Sequence, residues 1–290
     1  MEQISKTFNK IKVENTILYI ISTPIGNLGD ISIRALKVLS SLDIIFCEDT
    51  RITRKLLNYF DIKPKKLEVY NDQSNEKHRK LIIDKIKHSK NKFGLVCDAG
   101  TPLISDPGYK LVKECIKNKI KITHVPGASS LTSAIVLSGL PSHKLFFGGF
   151  LDKSKIKKKK QLVDALNLKF TSLWFESPNR LAETLKLIIE LNDKALISIL
   201  RELTKLNEEI IIGSPLYVYD QISRKTKLKG EIVLVISYKN KIIYTKDMIL
   251  DLIKQNYSQL STKELALDIS NKTGLPKKII YNKIVKYKSQ

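Results

Sequence analysis

The sequence predicts an α/β protein of two lobes followed by a small all-helical C-terminal segment. Three observations predict it. Short β-rich runs alternate with helical stretches from 17 to 150. A second alternating block follows a lysine-rich break, and the last 50 residues carry helical periods alone. A chain of 290 residues, at roughly 150 per domain, fits two such lobes. The expected divisions are a flexible N-terminal tail over 1–16, an N-terminal α/β lobe over 17–150, a C-terminal α/β lobe over 151–240 and a basic tail over 241–290.

Ile17–Ser22 (ILYIIS) reads as a buried strand, followed by the turn Thr23–Asp30 and a helix capped by Asp30, with Ile33, Leu36 and Leu39 on one face. Asp43–Cys47 is a second strand, leading to a helix near 52–60. Phe93–Cys97 and Ile120–Val125 are further strands, each ending in a Gly/Pro loop. Continuous apolar strands between helices indicate a mostly parallel sheet covered on both faces. The glycine pair Gly148–Gly149 marks a break. Asp152–Lys160 then holds six Lys in nine residues, read as a solvated linker or the charged first turn of the next helix rather than as a dedicated RNA clamp. Beyond it, 172–175, 195–200, 208–212 and 231–237 read as strands and Pro178–Glu190 as a helix with Pro at its first position. In the tail, helices are expected near 246–255, 261–272 and 276–287. Ser261 and Glu264 form a capping box, and Thr273-Gly274-Leu275-Pro276 supplies a stop and a restart. Two helices so joined resemble a helix-turn-helix, although a packing or dimer-supporting bundle fits the same pattern.

Charge is the compositional outlier: 51 basic against 29 acidic residues, a net +22. Such a field favours polyanions. Yet 44 of the basic residues are Lys and 7 are Arg, the signature of a biased genome as much as of phosphate recognition, which favours the planar guanidinium. Placement is more telling. The last 50 residues carry 10 basic and 4 acidic side chains, nearly double the charge density of the rest. Three Cys without a CxxC pair exclude a disulfide scaffold and point to a reducing, cytoplasmic setting. The absence of a long apolar run leaves no membrane span, and residues 1–16 lack the apolar stretch of a secretory signal. His78, His88, His124 and His143 lack metal-ligand spacing, so no metal is expected.

Four loops at the carboxyl ends of predicted strands carry the chemistry, where open α/β sheets hold their ligands. Thr23-Pro24-Ile25-Gly26-Asn27-Leu28-Gly29-Asp30 is neither a dinucleotide fingerprint nor a phosphate loop. Glu48-Asp49-Thr50-Arg51 offers one carboxylate to a cleft and one to Arg51, or simply an N-cap at Asp49 or Thr50. The eleven residues Asp98-Ala99-Gly100-Thr101-Pro102-Leu103-Ile104-Ser105-Asp106-Pro107-Gly108 are too long and too Gly/Pro-patterned for a plain link, and their free amides suit a polar ligand. Pro126-Gly127-Ala128-Ser129-Ser130 opens a helix whose first amides can meet ligand oxygens. Glu176-Ser177-Pro178-Asn179-Arg180 and Arg201-Glu202-Leu203-Thr204-Lys205 repeat an acid–polar–base theme in the second lobe.

In order, these motifs and Gly230–Ile236 (GEIVLVI) resemble the bacterial 16S rRNA (cytidine-2′-O)-methyltransferases of the RsmI type, within the tetrapyrrole methylase superfamily. The resemblance runs from about Leu18 to Ile236, and the segment around Ser261–Val285 resembles that family's C-terminal helix-turn-helix. It implies a class III methyltransferase fold, S-adenosylmethionine bound between two lobes, a homodimer, and a cytidine ribose in the decoding region of the small ribosomal subunit as substrate. Carried over by motif, the cofactor residues are Pro24, Asp98, Gly100, Thr101, Ile104, Ser129, Ser130, Phe175 and Leu203, with Gly230–Ile232 nearby. PGASS stands where members often have PGPSA, and 71–76 only partly matches a His/Asn-rich segment expected after Tyr70. No motif fixes a general base. Glu48, Asp49 and Glu176 are the candidates by chemistry, with Arg51, Arg180 and Lys205 as RNA or oxyanion partners. A small-molecule tetrapyrrole methylase and a non-enzymatic RNA-binding relative are the rival readings.

Overall fold

Five apolar residues in a row leave β1 (Ile17–Ile21) no exposed face, and it is buried throughout. The computed structural model describes residues 2–15, 17–63, 65–73, 75–225, 227–237, 246–256, 260–273 and 275–288. After α1 (Glu2–Lys10) and β1 come α2 (Ile33–Ser41), β2 (Ile44–Cys47), α3 (Thr50–Tyr59), β3 (Lys66–Val69), α4 (Glu76–His88), β4 (Phe93–Leu95), α5 (Tyr109–Lys117), β5 (Lys121–Val125) and α6 (Ser130–Leu137). The second block holds β6 (Leu145–Phe150), α7 (Lys155–Asn167), β7 (Thr171–Glu176), α8 (Pro178–Asn192), β8 (Leu196–Arg201), β9 (Glu209–Gly213), α9 (Pro215–Ser223) and β10 (Ile232–Ser237).

The first sheet has the order β3-β2-β4-β1-β5, and every pairing is parallel. Alternation along β1 sends Ile17, Tyr19 and Ile21 into a core with Ala35, Val38, Leu39 and Leu57, and Leu18 and Ile20 into another with Ile82, Ile83, Ile86 and Leu111. So α2 and α3 cover one face and α4 and α5 the other. The second sheet, β6-β7-β10-β8-β9, is mixed: β6 and β7 run parallel, while β10 is antiparallel to β7 and β8, and β9 to β8. One face packs on α7, α8 and α9 through Leu162, Leu181, Leu185 and Val218. The other packs Leu173, Leu200, Val233 and Val235 against Ile25 and Ala134, residues of the first block. That shared core brings the two sheets together.

Several expectations meet a different outcome. Residues 2–10 form helix α1 rather than a loose tail, with Lys37 Nζ 4.8 Å from the Phe8 ring centroid. Asp30 does not cap α2: it ends a 3₁₀ turn, and Ser32 Oγ accepts from Ala35 N–H at 3.1 Å instead. A Ser three residues ahead of the donor amide holds the N-cap spacing that its short side chain can bridge. Sequence periodicity missed β3 and α9, and missed β6, whose glycine pair sits at a bulge between Phe147 and Phe150.

The chain divides into two compact units, residues 1–238 and residues 239–290. The second unit contains α10 (Lys246–Asn256), α11 (Thr262–Thr273) and α12 (Lys277–Lys288), close to the expected helices. They share a core of Ile249, Ile253, Leu265, Ala266, Ile269, Ile280 and Ile284. The capping box forms in both directions: Glu264 N–H donates to Ser261 Oγ at 3.3 Å, and Ser261 N–H to Glu264 Oε2 at 3.1 Å. Gly274, the expected stop, lies outside the described residues, as does Ser74 in the 71–76 segment. No helix among the described residues is long and apolar enough to cross a membrane.

Candidate active site

The loops after β2, β4, β1 and β5 stand side by side because their strands are neighbours in that order. Thr23 and Gly100 tie two of them together by reciprocal backbone bonds, Thr23 N–H to Gly100 O at 2.8 Å and Gly100 N–H to Thr23 O at 3.1 Å. Gly100 has φ +83°, and a Cβ there would stand 3.2 Å from Ile25 Cγ2. Further along, Leu103 and Ser105 hold φ of 73° and 65°. Left-handed backbone costs a side-chain-bearing residue about 1–2 kcal/mol, so this loop stores strain that its packing must offset.

A directed hydrogen-bond chain fixes the loop's hydroxyl. Thr101 Oγ1 donates to Ala128 O at 3.3 Å, which leaves it to accept from Ser22 Oγ at 2.8 Å. Ser22 Oγ then accepts from His124 Nε2 at 3.2 Å, so that nitrogen carries the proton. The loops after β1, β4 and β5 are thereby locked into one surface.

Facing this surface, the second sheet closes a cavity of about 370 Å³, within the usual size of small-molecule sites. From the first block it is lined by Ile25, Asp98–Thr101, Ile104–Asp106, Ser129 and Ser130, and from the second by Phe150, Phe175–Pro178, Leu200, Leu203 and Gly230–Val233. Asp98, Gly100, Thr101, Ile104, Ser129, Ser130, Phe175 and Leu203 are thus together on its wall. Pro24 is buried beside it, and its neighbour Ile25 makes the lining contact. Phe175 is held edge-on between Phe147 and Phe150, at centroid distances of 5.1 and 5.2 Å.

The proposed polar residues fare differently. Glu176 lines the cavity, but its side chain is fully buried and both oxygens are engaged. Oε1 accepts from Ser177 N–H and meets Arg180 Nη2, each at 2.7 Å. Oε2 accepts from Thr184 Oγ1 at 2.7 Å and faces the buried Lys158 Nζ at 3.4 Å. Arg180 is committed to the same cluster through Ser177 Oγ and Leu151 O. Lys158 belongs to the lysine run that was expected to be solvated, and it has no exposed surface. Asp49 N-caps α3 and is gripped twice by Arg51, with Nη2 to Oδ2 at 2.6 Å. Those bonds hold its carboxyl at about 2, far into the ionised range. Arg51 is exposed, and Glu48 is exposed outside the cavity lining.

A family model described as Tetrapyrrole (Corrin/Porphyrin) Methylases matches residues 17–215. The chain belongs to the tetrapyrrole (corrin/porphyrin) methylase family. A protein of Rickettsia prowazekii named "Ribosomal RNA small subunit methyltransferase I" is 44% identical over 278 residues, 93% of this chain and 97% of that one. One of the same name from Thermotoga maritima is 44% identical over 77% of this chain and 98% of its own length. Among solved structures, a cobalt-precorrin-4 methyltransferase of cobalamin biosynthesis superposes with a TM-score of 0.57 at 17% identity, covering 76% of this chain and 94% of that one. The fold of this methylase is accordingly the two-lobed class III methyltransferase fold, and the protein is an enzyme of methyl transfer.

Within this methylase the lobes meet directly at the first loop. Asn27 N–H donates to Thr204 Oγ1 at 3.2 Å, and Gly26 lies so close to the Lys205 stem that a Cβ would fall 2.3 Å from Cγ. Lys205 Nζ pairs with Glu202 at 2.8 Å and Glu231 at 3.2 Å. Burial opposes its charge, but the two carboxylates outweigh burial and raise its pKa. Against these paired groups stand Asp98 and Asp106 on the cavity wall. Burial pushes both carboxyls up, and Asp49 adds repulsion at Asp98, as Asp98 and Glu231 do at Asp106. Asp106 is the residue that sequence reasoning passed over. Its signal was its position inside the long loop, where a carboxylate has no strand-end alternative. Among the described residues no group of three metal-ligating side chains occurs.

Proposed function

We propose that this methylase transfers a methyl group from S-adenosylmethionine to the 2′-hydroxyl of a cytidine in the decoding region of 16S rRNA, working as a cytoplasmic homodimer. The cavity carries the reading: eight of the nine residues assigned to the cofactor by resemblance line it, Pro24 being the exception. The shared name of relatives matched over nearly their whole length supports rRNA as the substrate class.

The residues present fit such a cofactor. Ile25, Ile104, Leu203 and Phe175 offer apolar surface, and the close backbone approach at Gly100 leaves room that a side chain would fill. Asp98 and Asp106 give the cavity a negative wall suited to a cation. When bound, the sulfonium supplies an already activated methyl group, so the protein's task is alignment more than covalent catalysis. Of the carboxylates, Asp106 is best placed to accept the ribose proton. It lines the cavity, and its raised pKa makes it the stronger base. Asp49 and Glu176 serve instead to hold Arg51 and the α8 entry. Residues 151–240, together with β6 just ahead of them, form the closing lobe in this reading, and residues 241–290 a basic module for the RNA. Labelled S-adenosylmethionine, offered small ribosomal subunits and uroporphyrinogen in parallel, is expected to label one ribose in the rRNA, located by primer extension. Label in the porphyrin alone would overturn the proposal.

A further inference from the structure

In a chain with 44 Lys, a surface cation carries little information, whereas each of the 7 Arg stands out. Most of them use the guanidinium fork. Arg180 joins Glu176, Ser177 and Leu151; Arg201 joins Glu209, Lys229 and Asn207; Arg224 pairs with Asp220; Arg51 grips Asp49; Arg79 is also engaged. Arg54 differs. Among the described residues no carboxylate pairs with it, and it is exposed on α3. Arg34, the other arginine without an acid, does not share its setting.

That setting is a hollow of about 310 Å³ lined by Thr50, Arg51, Arg54, Lys55 and Asn58. These residues share one face of α3, opposite the buried Thr53 and Leu57. Every group on the hollow's wall can donate a hydrogen bond, and no lining residue is acidic. The adjacent Asp49 is already neutralised by Arg51. Its backbone N–H donates to Asp98 Oδ1 at 3.1 Å, which fixes the start of α3 to the cavity wall. Arg54 follows Thr50 by about one helical turn, about 6 Å along the axis. A hollow rich in donors and free of acids, with a free fork close to the methyl-transfer cavity, suits a tetrahedral oxyanion.

We propose that Arg54, with Lys55 and Asn58 beside it, seats a backbone phosphate of the substrate RNA next to the methyl-transfer cavity. The inference rests on the rRNA reading above. Phosphate contacts set the register of a nucleic acid on its protein, and register decides which ribose reaches the cavity.

The test compares the wild type with Arg54→Ala, Arg54→Lys and Arg224→Ala in binding to small ribosomal subunits and to protein-free 16S rRNA across a salt series. Arg54→Ala is expected to weaken binding to both about tenfold and to reduce the magnitude of the salt slope by about 0.7–0.9. Arg54→Lys keeps the slope but recovers only part of the affinity. Arg224→Ala removes the same charge elsewhere and leaves both unchanged. Cofactor affinity, unchanged in all three, shows that each variant is folded. Equal behaviour of Arg54→Ala and Arg224→Ala would overturn the proposal, as would an Arg54→Ala defect seen with subunits and absent with bare rRNA. If the wild type methylates rRNA while Arg54→Ala binds like it, this inference alone fails. If the wild type methylates no rRNA, the functional reading fails first.

Discussion

The two lobes treat charge in opposite ways. Around the cavity, the first lobe keeps Asp98 and Asp106 with raised pKa values. The second lobe neutralises its acids: the buried Glu176 against Arg180 and Lys158, and the half-buried Glu209 against Arg201 and Lys225. A parallel sheet places its loops at one end, where unpaired groups can converge on a ligand. The mixed sheet opposite forms a wall, and a wall works best when its charges are satisfied. The difference separates a side that leaves its acids unpaired by cations from a side that confines.

The largest test of that separation removes the wall's central acid. Glu176→Ala leaves the buried Lys158 facing only Glu183, 3.7 Å away, and Arg180 only Ser177 and Leu151, and is expected to cost about 3–5 kcal/mol of stability by denaturant unfolding. A variant as stable as the wild type yet devoid of methyl transfer would return Glu176 to a catalytic role. Next comes Asp106→Asn, nearly isosteric, which is expected to lower methyl transfer about a hundredfold with cofactor affinity changed far less. Loss of affinity alone would make Asp106 a counter-charge rather than a base. Gly100→Ala forces a side chain into φ +83°, against Ile25, and should weaken cofactor binding by about 1–2 kcal/mol in calorimetry. Ser32→Ala and Ser214→Ala remove the N-caps of α2 and α9, one per lobe. Each should cost about 1 kcal/mol and leave methyl transfer intact, so that the loss of a cap is felt alike in both lobes and in neither reaches the chemistry.

Acid offers a subtler contrast. Asp98 and Asp106 have folded pKa values above the ordinary 3.8, so the folded state holds their protons more tightly. Their contribution favours folding as pH falls through that window, while affinity for a cationic cofactor declines. Glu202 and Glu209 are lowered below 4.5, because Lys205, Lys225 and Arg201 outweigh burial. Their contribution is present above 4.5 and is lost as pH falls through the folded value. Cofactor affinity that is flat between neutral pH and 4 would contradict the assignment of the negative wall.

Much of the fold was legible because burial on both faces makes a strand apolar throughout, as in ILYII of β1 and IVLVIS of β10. KLEV of β3, at the sheet's edge and half exposed, has no such pattern. The loops that line the cavity were legible from Gly and Pro at strand ends. The acids were not, since sequence does not say which carboxylate meets an arginine. Glu176 and Arg180, four apart on the α8 entry, find each other locally, and Lys158 reaches the same pair from another helix. That third partner is a tertiary fact, hidden in a run that reads as surface.

Lys158 gives that run an evolutionary consequence. Where a genome drifts toward lysine, most lysines are interchangeable residues of composition, free to be replaced or gained. Of this helix, Lys158, Leu162 and Ala165 are buried, at spacings of four and three. Saturation mutagenesis across residues 155–167 should therefore reveal a helical rhythm of intolerance, with Lys158 as fixed as the apolar pair and Lys157 and Lys159 on either side left to wander.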